Sequence, residues 1–258
     1  MKPIYNLQWL TDKFDSGEAL KFLFFWGHSN KQNSETGPAC FSQWFELPFI
    51  VDNVMYKTAE HWMMANKALL FEDIDTYEKI IKANTPGEAK DLGRRVIGFD
   101  DQIWNVNRMK IVISGNIHKF NQNTNYLTFL INTNSRILVE ASPIDTIWGI
   151  GLAKDAEHID NPYFWRGENL LGFALMAVRD FFSTYGQFSS LENVVLPPWK
   201  IYPNIHPIDG FWRMGKGEEF IIKFSNYYSE LSERDKAIFE LCYLAPSDWT
   251  GFYHDLVS

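Results

Sequence analysis

Hydrophobic and polar positions fall into two regimes along this chain. Residues 20–28, LKFLFFWGH, are a short, nearly unbroken apolar run that stops at Gly27, which predicts a buried strand. The stretch SNKQNSETGPA that follows is polar and reads as a loop. CFSQWFELPFIVDNVMY then predicts a short strand pair turning around Val51-Asp52-Asn53. From Thr58 the period becomes helical. Thr58 is a capping-type residue ahead of AEHWMMANKALL, and Asp73 to Ala83 carries an apolar stripe of Tyr77, Ile80 and Ile81. Thr85-Pro86-Gly87-Glu88 has capping-box spacing with Pro86 at the first helical position, which predicts a helix ending near Gly98. Asp100 is placed to cap a helix running to about Phe120, slightly weakened by Gly115. TNYLTFLINTN predicts a short helix, Arg136 to Ala141 a strand, and GENLLGFALMAVRDFFSTY a long helix with Leu170, Leu171, Leu175 and Val178 at core spacing.

After about Phe188 the pattern changes. VLPPWKIYPNIHPIDGFWRMGKGE is rich in Pro and Gly and reads as an irregular arm, followed by helices over about Glu218 to Leu231 and Ser232 to Tyr243. The fold expected is a helix-rich α+β domain with a few short strands over residues 1–188, carrying a helical appendage over 189–258.

Composition narrows the functional classes. The 258 residues are 46% hydrophobic, enough for a full core. A net charge of -8 argues against a broad basic surface that grips duplex DNA, though a small nucleotide needs only a few donors. The appendage has 6 basic and 10 acidic side chains against 18 and 22 before it, so each part carries -4 and charge does not set the tail apart. Ten tryptophans and 16% aromatics build a core and also provide stacking platforms for bases. Cys40 and Cys242 stand apart, without CxxC spacing or clustered histidines, so neither a metal site nor a disulfide framework is expected. The first residues lack the apolar segment of a signal peptide, and no run approaches the ~20 apolar residues of a membrane span. A cytoplasmic protein without metal or cofactor is the expectation.

Candidate chemistry lies in four places. The helix opening at Thr58 carries Glu60, His61 and Lys67; Glu60 and Lys67 share a face, ~10 Å apart along the axis. EASPIDTIWGIG places Asp145 after a strand and Trp148 ahead of Gly149 and Gly151, glycines that would let backbone approach a planar ligand. WRGENLLG, with Asn169, opens a helix whose N–H groups favour an anion. FFWGHSN puts Ser29 and Asn30 directly after a buried run. Each has a plainer reading. Glu60 suits a helix N-terminus, Lys67 a solvated face, Asp145 a turn, His61 and His28 structure, and Trp104 and Trp148 the core. No GxGxxG, GxSxG or Walker sequence is present.

Taken together and in order, FFWGHSN, YKTAEHWMMANKALLF, TPGEAKDLGRRV, Trp104, Lys119-Phe120, ILVEAS, DTIWGIG and WRGENLLGFALMAVR resemble the NADAR (YbiA-like) family, from about Phe24 to Arg179. One departure is GHSN, where many relatives have aromatic-Ser-Asn-Phe; Lys31 stands in place of that Phe. The resemblance implies hydrolysis of an N-glycosidic bond at a ribose C1. The substrate implied is ADP-ribose on a guanine base, in a nucleotide, DNA or RNA; alternatives are a phosphoribosylated riboflavin-pathway intermediate and a non-catalytic ADP-ribose or NAD-binding module. It also implies a catalytic lysine at Lys67. On this reading Glu60 is the acid/base group, because the apolar residues around it should raise its pKa, and Asp145 is the ionised group at the ribose; the two assignments could be exchanged. Lys67 is a nucleophile or a fixed charge. Trp104 and Trp148 are stacking walls, and Ser29, Asn30, Gly149, Gly151 and Asn169 are substrate contacts. Arg94 and Arg179 are open to phosphate pairing or to structural ion pairs. A protein partner docked on the tail would be compatible with any of these.

Overall fold

The computed structural model describes residues 5–27, 36–189, 191 and 194–256. The chain divides into two compact units, Met1–Gln187 and Phe188–Ser258.

The first unit opens with a helix that the hydrophobic pattern does not predict. This is α1, Leu7–Asp15, capped by Asn6, whose side chain accepts the Trp9 N–H at 2.7 Å. It buries only Leu10, too sparse a stripe for periodicity to register. The apolar run at residue 20 forms β1, Phe22–Phe25. The predicted strand pair is β2, Phe49–Val51, with β3, Val54–Tyr56, paired antiparallel. Asp52 and Asn53 both have positive φ, 49° and 63°, as a two-residue hairpin of the primed type requires.

Five helices follow: α2, Ala59–Leu70; α3, Ile74–Lys82; α4, Pro86–Gly93; α5, Asp101–Asn121; and α6, Thr124–Ile131. Thr58, Asp73, Thr85 and Asp100 cap α2 to α5, each side chain accepting an N–H three residues on. Helix α4 stops at Gly93, short of the predicted Gly98, because the Ile97 N–H is taken by Asp73 Oδ2 at 2.9 Å, which draws the chain back toward the start of α3. Helix α2 is buried on nearly all sides through its first two turns and packs against α3, α4 and α5. Gly115 is the reason it can approach α5 closely: a Cβ there would lie 2.3 Å from the Trp62 ring, whose Nε1 donates to Ile111 O at 2.8 Å. The residue read as a helix weakness is a packing requirement.

The unit continues with β4, Ile137–Glu140, and a 3-10 turn at Pro162–Phe164, and ends with α7, Leu170–Tyr185. Strand β4 pairs with β1 in parallel, Phe22 opposite Ile137 and Phe25 opposite Glu140. Helix α7 lies against β4 so closely that a Cβ on Gly172 would be 2.0 Å from Leu138 O.

In the second unit the Pro-rich arm contains α8, Pro198–Ile201, and a 3-10 turn at Gly210–Arg213. Helices α9, Gly215–Glu230, and α10, Glu233–Cys242, follow, then α11, Phe252–Asp255. Phe224, Tyr228 and Phe239 form its own buried core. The fold class is α+β, rich in helix, with few short strands. No described helix is long and apolar enough to cross a membrane.

Candidate active site

The parallel pair places its carboxyl ends together, the end of a parallel sheet where ligands commonly bind. Glu140 ends β4, and the turn after it folds back tightly. Asp145 Oδ1 accepts the N–H groups of Ile147 and Trp148 at 2.9 and 2.8 Å, and Ile150 N–H returns to Glu140 O at 3.0 Å. Glu60 reaches the same place from the first turn of α2, where its N–H donates to Gln43 O at 2.9 Å. Glu60 is 2% exposed. Its carboxyl accepts a hydrogen bond from Trp44, while Oε1 is buried without a partner.

Charge in this centre is unbalanced. Burial pushes Glu60 up to about 7; Lys90, the Trp44 hydrogen bond and Arg94 work against that, and Asp145 adds to it. Glu140 is pushed up to about 8 by burial, then by Asp145 and Glu60, with Lys90 opposing. Its Oε2 is also buried without a partner. Three carboxyl groups therefore feel one another and the half-buried Lys90, whose Nζ lies 5.8 Å from the centre of the Trp44 ring, with Arg94 acting on Glu60 as a second cation.

Lys67 is not part of this cluster. Its Nζ donates to Gly93 O at 2.9 Å and sits 3.9 Å from the Phe99 ring centre and 5.6 Å from that of Trp104. Burial lowers its pKa and Asp101 raises it. Trp104 thus belongs with Lys67, and Trp148, half-buried, with Asp145. Gly149 and Gly151 do let backbone approach closely, but the approach is to protein: a Cβ on Gly149 would lie 2.9 Å from Glu140 O, and one on Gly151 2.9 Å from Arg166 Cβ. Asn169, fully buried with a φ of 54°, also works inside the fold, with Oδ1 accepting from Glu140 N and Nδ2 donating to Leu138 O. The expectations for Ser29 and Asn30 fall outside the described residues. His61 is buried and its pKa is lowered by burial, its Nδ1 2.8 Å from Thr58 Oγ1 and its Nε2 3.3 Å from Ala83 O. Arg179 is internal, bonded to Thr133 Oγ1 and Arg136 O, and Arg94 pairs with Asp91 at 3.2 Å.

Three residues that sequence reasoning missed complete the centre: Glu140, Lys90 and Trp44. A carboxylate ending an otherwise apolar strand was the one available signal for Glu140. Just ahead of Trp44, Lys119, fully buried in α5, donates to Cys40 O and Ser42 O at 2.6 and 3.0 Å, and the Trp44 N–H donates to Ser42 Oγ at 3.1 Å. Trp44 also lines a cavity of about 390 Å³ together with Lys57, His61, Asn84, Thr85 and Gly87. Among the described residues no group of three or more His, Cys, Asp and Glu is arranged to hold a metal.

The sequence profile of the NADAR domain matches residues 24–183. The chain belongs to the NADAR family. The stretch matched contains the last two residues of β1, Trp44, β2 and β3, all of α2 to α6 and β4, and α7 as far as Ser183, so the whole carboxyl cluster is NADAR sequence. An N-glycosidase of Acanthamoeba polyphaga mimivirus is 41% identical over 63% of this chain and 97% of its own length. An N-glycosidase of Nostoc punctiforme is 30% identical over 55% of this chain and 83% of its own. The NMR structure of the E. coli protein YbiA superposes with a TM-score of 0.52, covering 67% of this chain and 92% of YbiA at 24% identity, a likeness of fold.

Proposed function

We propose that this NADAR protein is an N-glycosidase that cleaves the bond between a ribose C1 and a base nitrogen, and that its substrate is ADP-ribose carried on a guanine base. The observation that carries the reading is Glu60: a buried carboxyl, raised to about 7, with one oxygen unpartnered beside Asp145. Cleavage builds positive charge on the ribose ring, which a nearby carboxylate stabilises, while the departing nitrogen needs a proton. A carboxyl whose pKa lies near neutrality can exchange protons with the reacting groups. Asp145, its Oδ1 held by two backbone N–H groups, keeps its other oxygen for the ribose. The names of the mimivirus and Nostoc relatives favour the same reaction class.

The cavity beside Trp44 supports a nucleotide-derived substrate. Its volume of about 390 Å³ suits a nucleoside, and it offers an indole wall, with the Lys57 ammonium bonded to Ala83 O at 2.6 Å in its lining. Product analysis tests the assignment. Incubation with ADP-ribosylated guanosine and with a guanine-modified oligonucleotide is expected to release free ADP-ribose, and Glu60→Ala is expected to release none. Turnover of a phosphoribosylated aminopyrimidine alone would move the assignment to a riboflavin-pathway intermediate. Saturable ADP-ribose binding with no turnover of any of the three would replace the enzyme with a binding module.

A further inference from the structure

Two carboxyl groups in this centre, not one, have a buried oxygen that meets no donor or acceptor, Glu60 Oε1 and Glu140 Oε2. Glu140 is clamped through its backbone on both sides. Asn169 Oδ1 accepts its N–H at 3.0 Å, and Ile150 N–H donates to its C=O at 3.0 Å. The backbone is thereby fixed and the carboxyl is left to the interior. The groups that face it are Glu60 from α2, Asp145 from the turn after β4, and Lys90 from α4. Lys90, with Arg94 acting on Glu60, supplies two cations to three carboxylates in a largely buried site, so a proton remains on at least one of them. A buried carboxyl without a donor keeps its proton, and without an acceptor it has that proton to give.

We propose that Glu140 is a second catalytic carboxyl: it protonates the departing base nitrogen, and Glu60 takes the proton from the attacking water. The proposal rests on the N-glycosidase reading above. The C1–N bond breaks and its electron pair goes to the base nitrogen, which accepts the Glu140 proton and leaves Glu140 as the carboxylate. Water oxygen bonds to C1, and the proton that water loses goes to the Glu60 carboxylate. Transfer of that proton from Glu60 to Glu140 restores the starting state with atoms and charge balanced. Asp145, its Oδ1 held by two backbone N–H groups, faces the cationic ribose. Burial and the neighbouring carboxylates hold Glu140 at about 8 and Glu60 at about 7, the order this division of labour needs.

The test compares wild type with Glu140→Gln on ADP-ribosylated guanosine from pH 5.5 to 9.5. Gln fills the same space, and kcat is expected to fall about 10²–10⁴-fold with KM nearly unchanged. Wild type is expected to lose activity as pH rises through about 8, with this alkaline limb absent in the variant. An active wild type with Glu140→Gln within about threefold of it, or with the alkaline limb intact, overturns the role of Glu140 and leaves the N-glycosidase reading standing. Wild type inactive on both the guanine-linked substrate and a phosphoribosylated aminopyrimidine overturns that reading, and the role of Glu140 with it. If Glu140→Gln does not unfold cooperatively, wild type labelled with carboxyl-13C glutamate decides. Two glutamate resonances titrating above pH 6 are expected, and a single one overturns the proposal.

Discussion

Asn169 Oδ1 accepts the Glu140 N–H at 3.0 Å, and through this bond the cap of α7 sets the backbone of a carboxyl in the candidate centre. The same amide donates from Nδ2 to Leu138 O at 2.9 Å, so one side chain serves both ends of the three-residue stretch Leu138–Glu140 of β4. Asn169→Ala would leave two buried backbone groups unsatisfied and put a Cβ residue at a φ of 54° without the local hydrogen bonds that make Asn tolerable there. A loss of about 2–4 kcal/mol in urea unfolding is expected. A loss below about 1 kcal/mol would show that the amide does not hold β4.

Asp145 has two separable duties. Its Oδ1 organises the turn through Ile147 and Trp148, and its charge raises both Glu60 and Glu140. Asp145→Asn keeps the acceptor and removes the charge. Stability should stay within about 0.5 kcal/mol of wild type while kcat falls at least about 100-fold. Asp145→Ala should lose activity and, in addition, roughly 1–3 kcal/mol of stability from the two stranded N–H groups. Equal unfolding curves for the two variants would remove the turn from the account.

Stability should fall as pH rises from about 5 to 8. Glu60 and Glu140 have an ordinary value of 4.5, and in the folded protein they sit at about 7 and about 8. Between these limits the folded state binds more protons than the unfolded, so the stability they permit is full below 4.5 and is lost as pH passes through 7 and 8. Each tenfold difference in proton affinity is worth ~1.4 kcal/mol, so the decline should be on the order of a few kcal/mol. Urea unfolding at intervals across this range measures it. Glu60→Gln and Glu140→Gln should each flatten the slope and raise stability at pH 8; a wild-type curve that is flat or rising would contradict the buried, protonated pair.

Lys67 is tested by trapping. Burial lowers its pKa, which favours the neutral amine that attack on an opened ribose requires, while Phe99 at 3.9 Å favours the cation. Borohydride added during turnover should leave an ADP-ribosyl adduct on the Lys67 peptide if the amine is the nucleophile. If Lys67 is a fixed charge, no adduct forms and Lys67→Arg keeps activity within about tenfold, whereas Lys67→Ala loses at least about 100-fold in either case.

Local signals stood in the sequence wherever residues near one another decide the structure. The caps Thr58, Asp73, Thr85 and Asp100, the Asp52-Asn53 hairpin and the helical stripe of α3 each depend on a few adjacent residues, and each could be read there. The family motifs also located Glu60 and Asp145, 85 residues apart in the chain. Their meeting belongs to tertiary structure. Parallel pairing of β1 with β4 needs the long crossover through α2 to α6, and no periodicity records which strand a buried run will meet. For the same reason Glu140 was one more residue of a predicted strand, Lys90 one of a predicted helix and Trp44 one of the segment read as a strand pair. Conversely, Asn169, Gly149 and Gly151 looked like ligand contacts because their residue types permit close approach, and only packing shows that the approach is to β4 and its turn. Residue type sets what a side chain can do; burial and the charges around it, which exist only once the chain has folded, set its protonation and its partners.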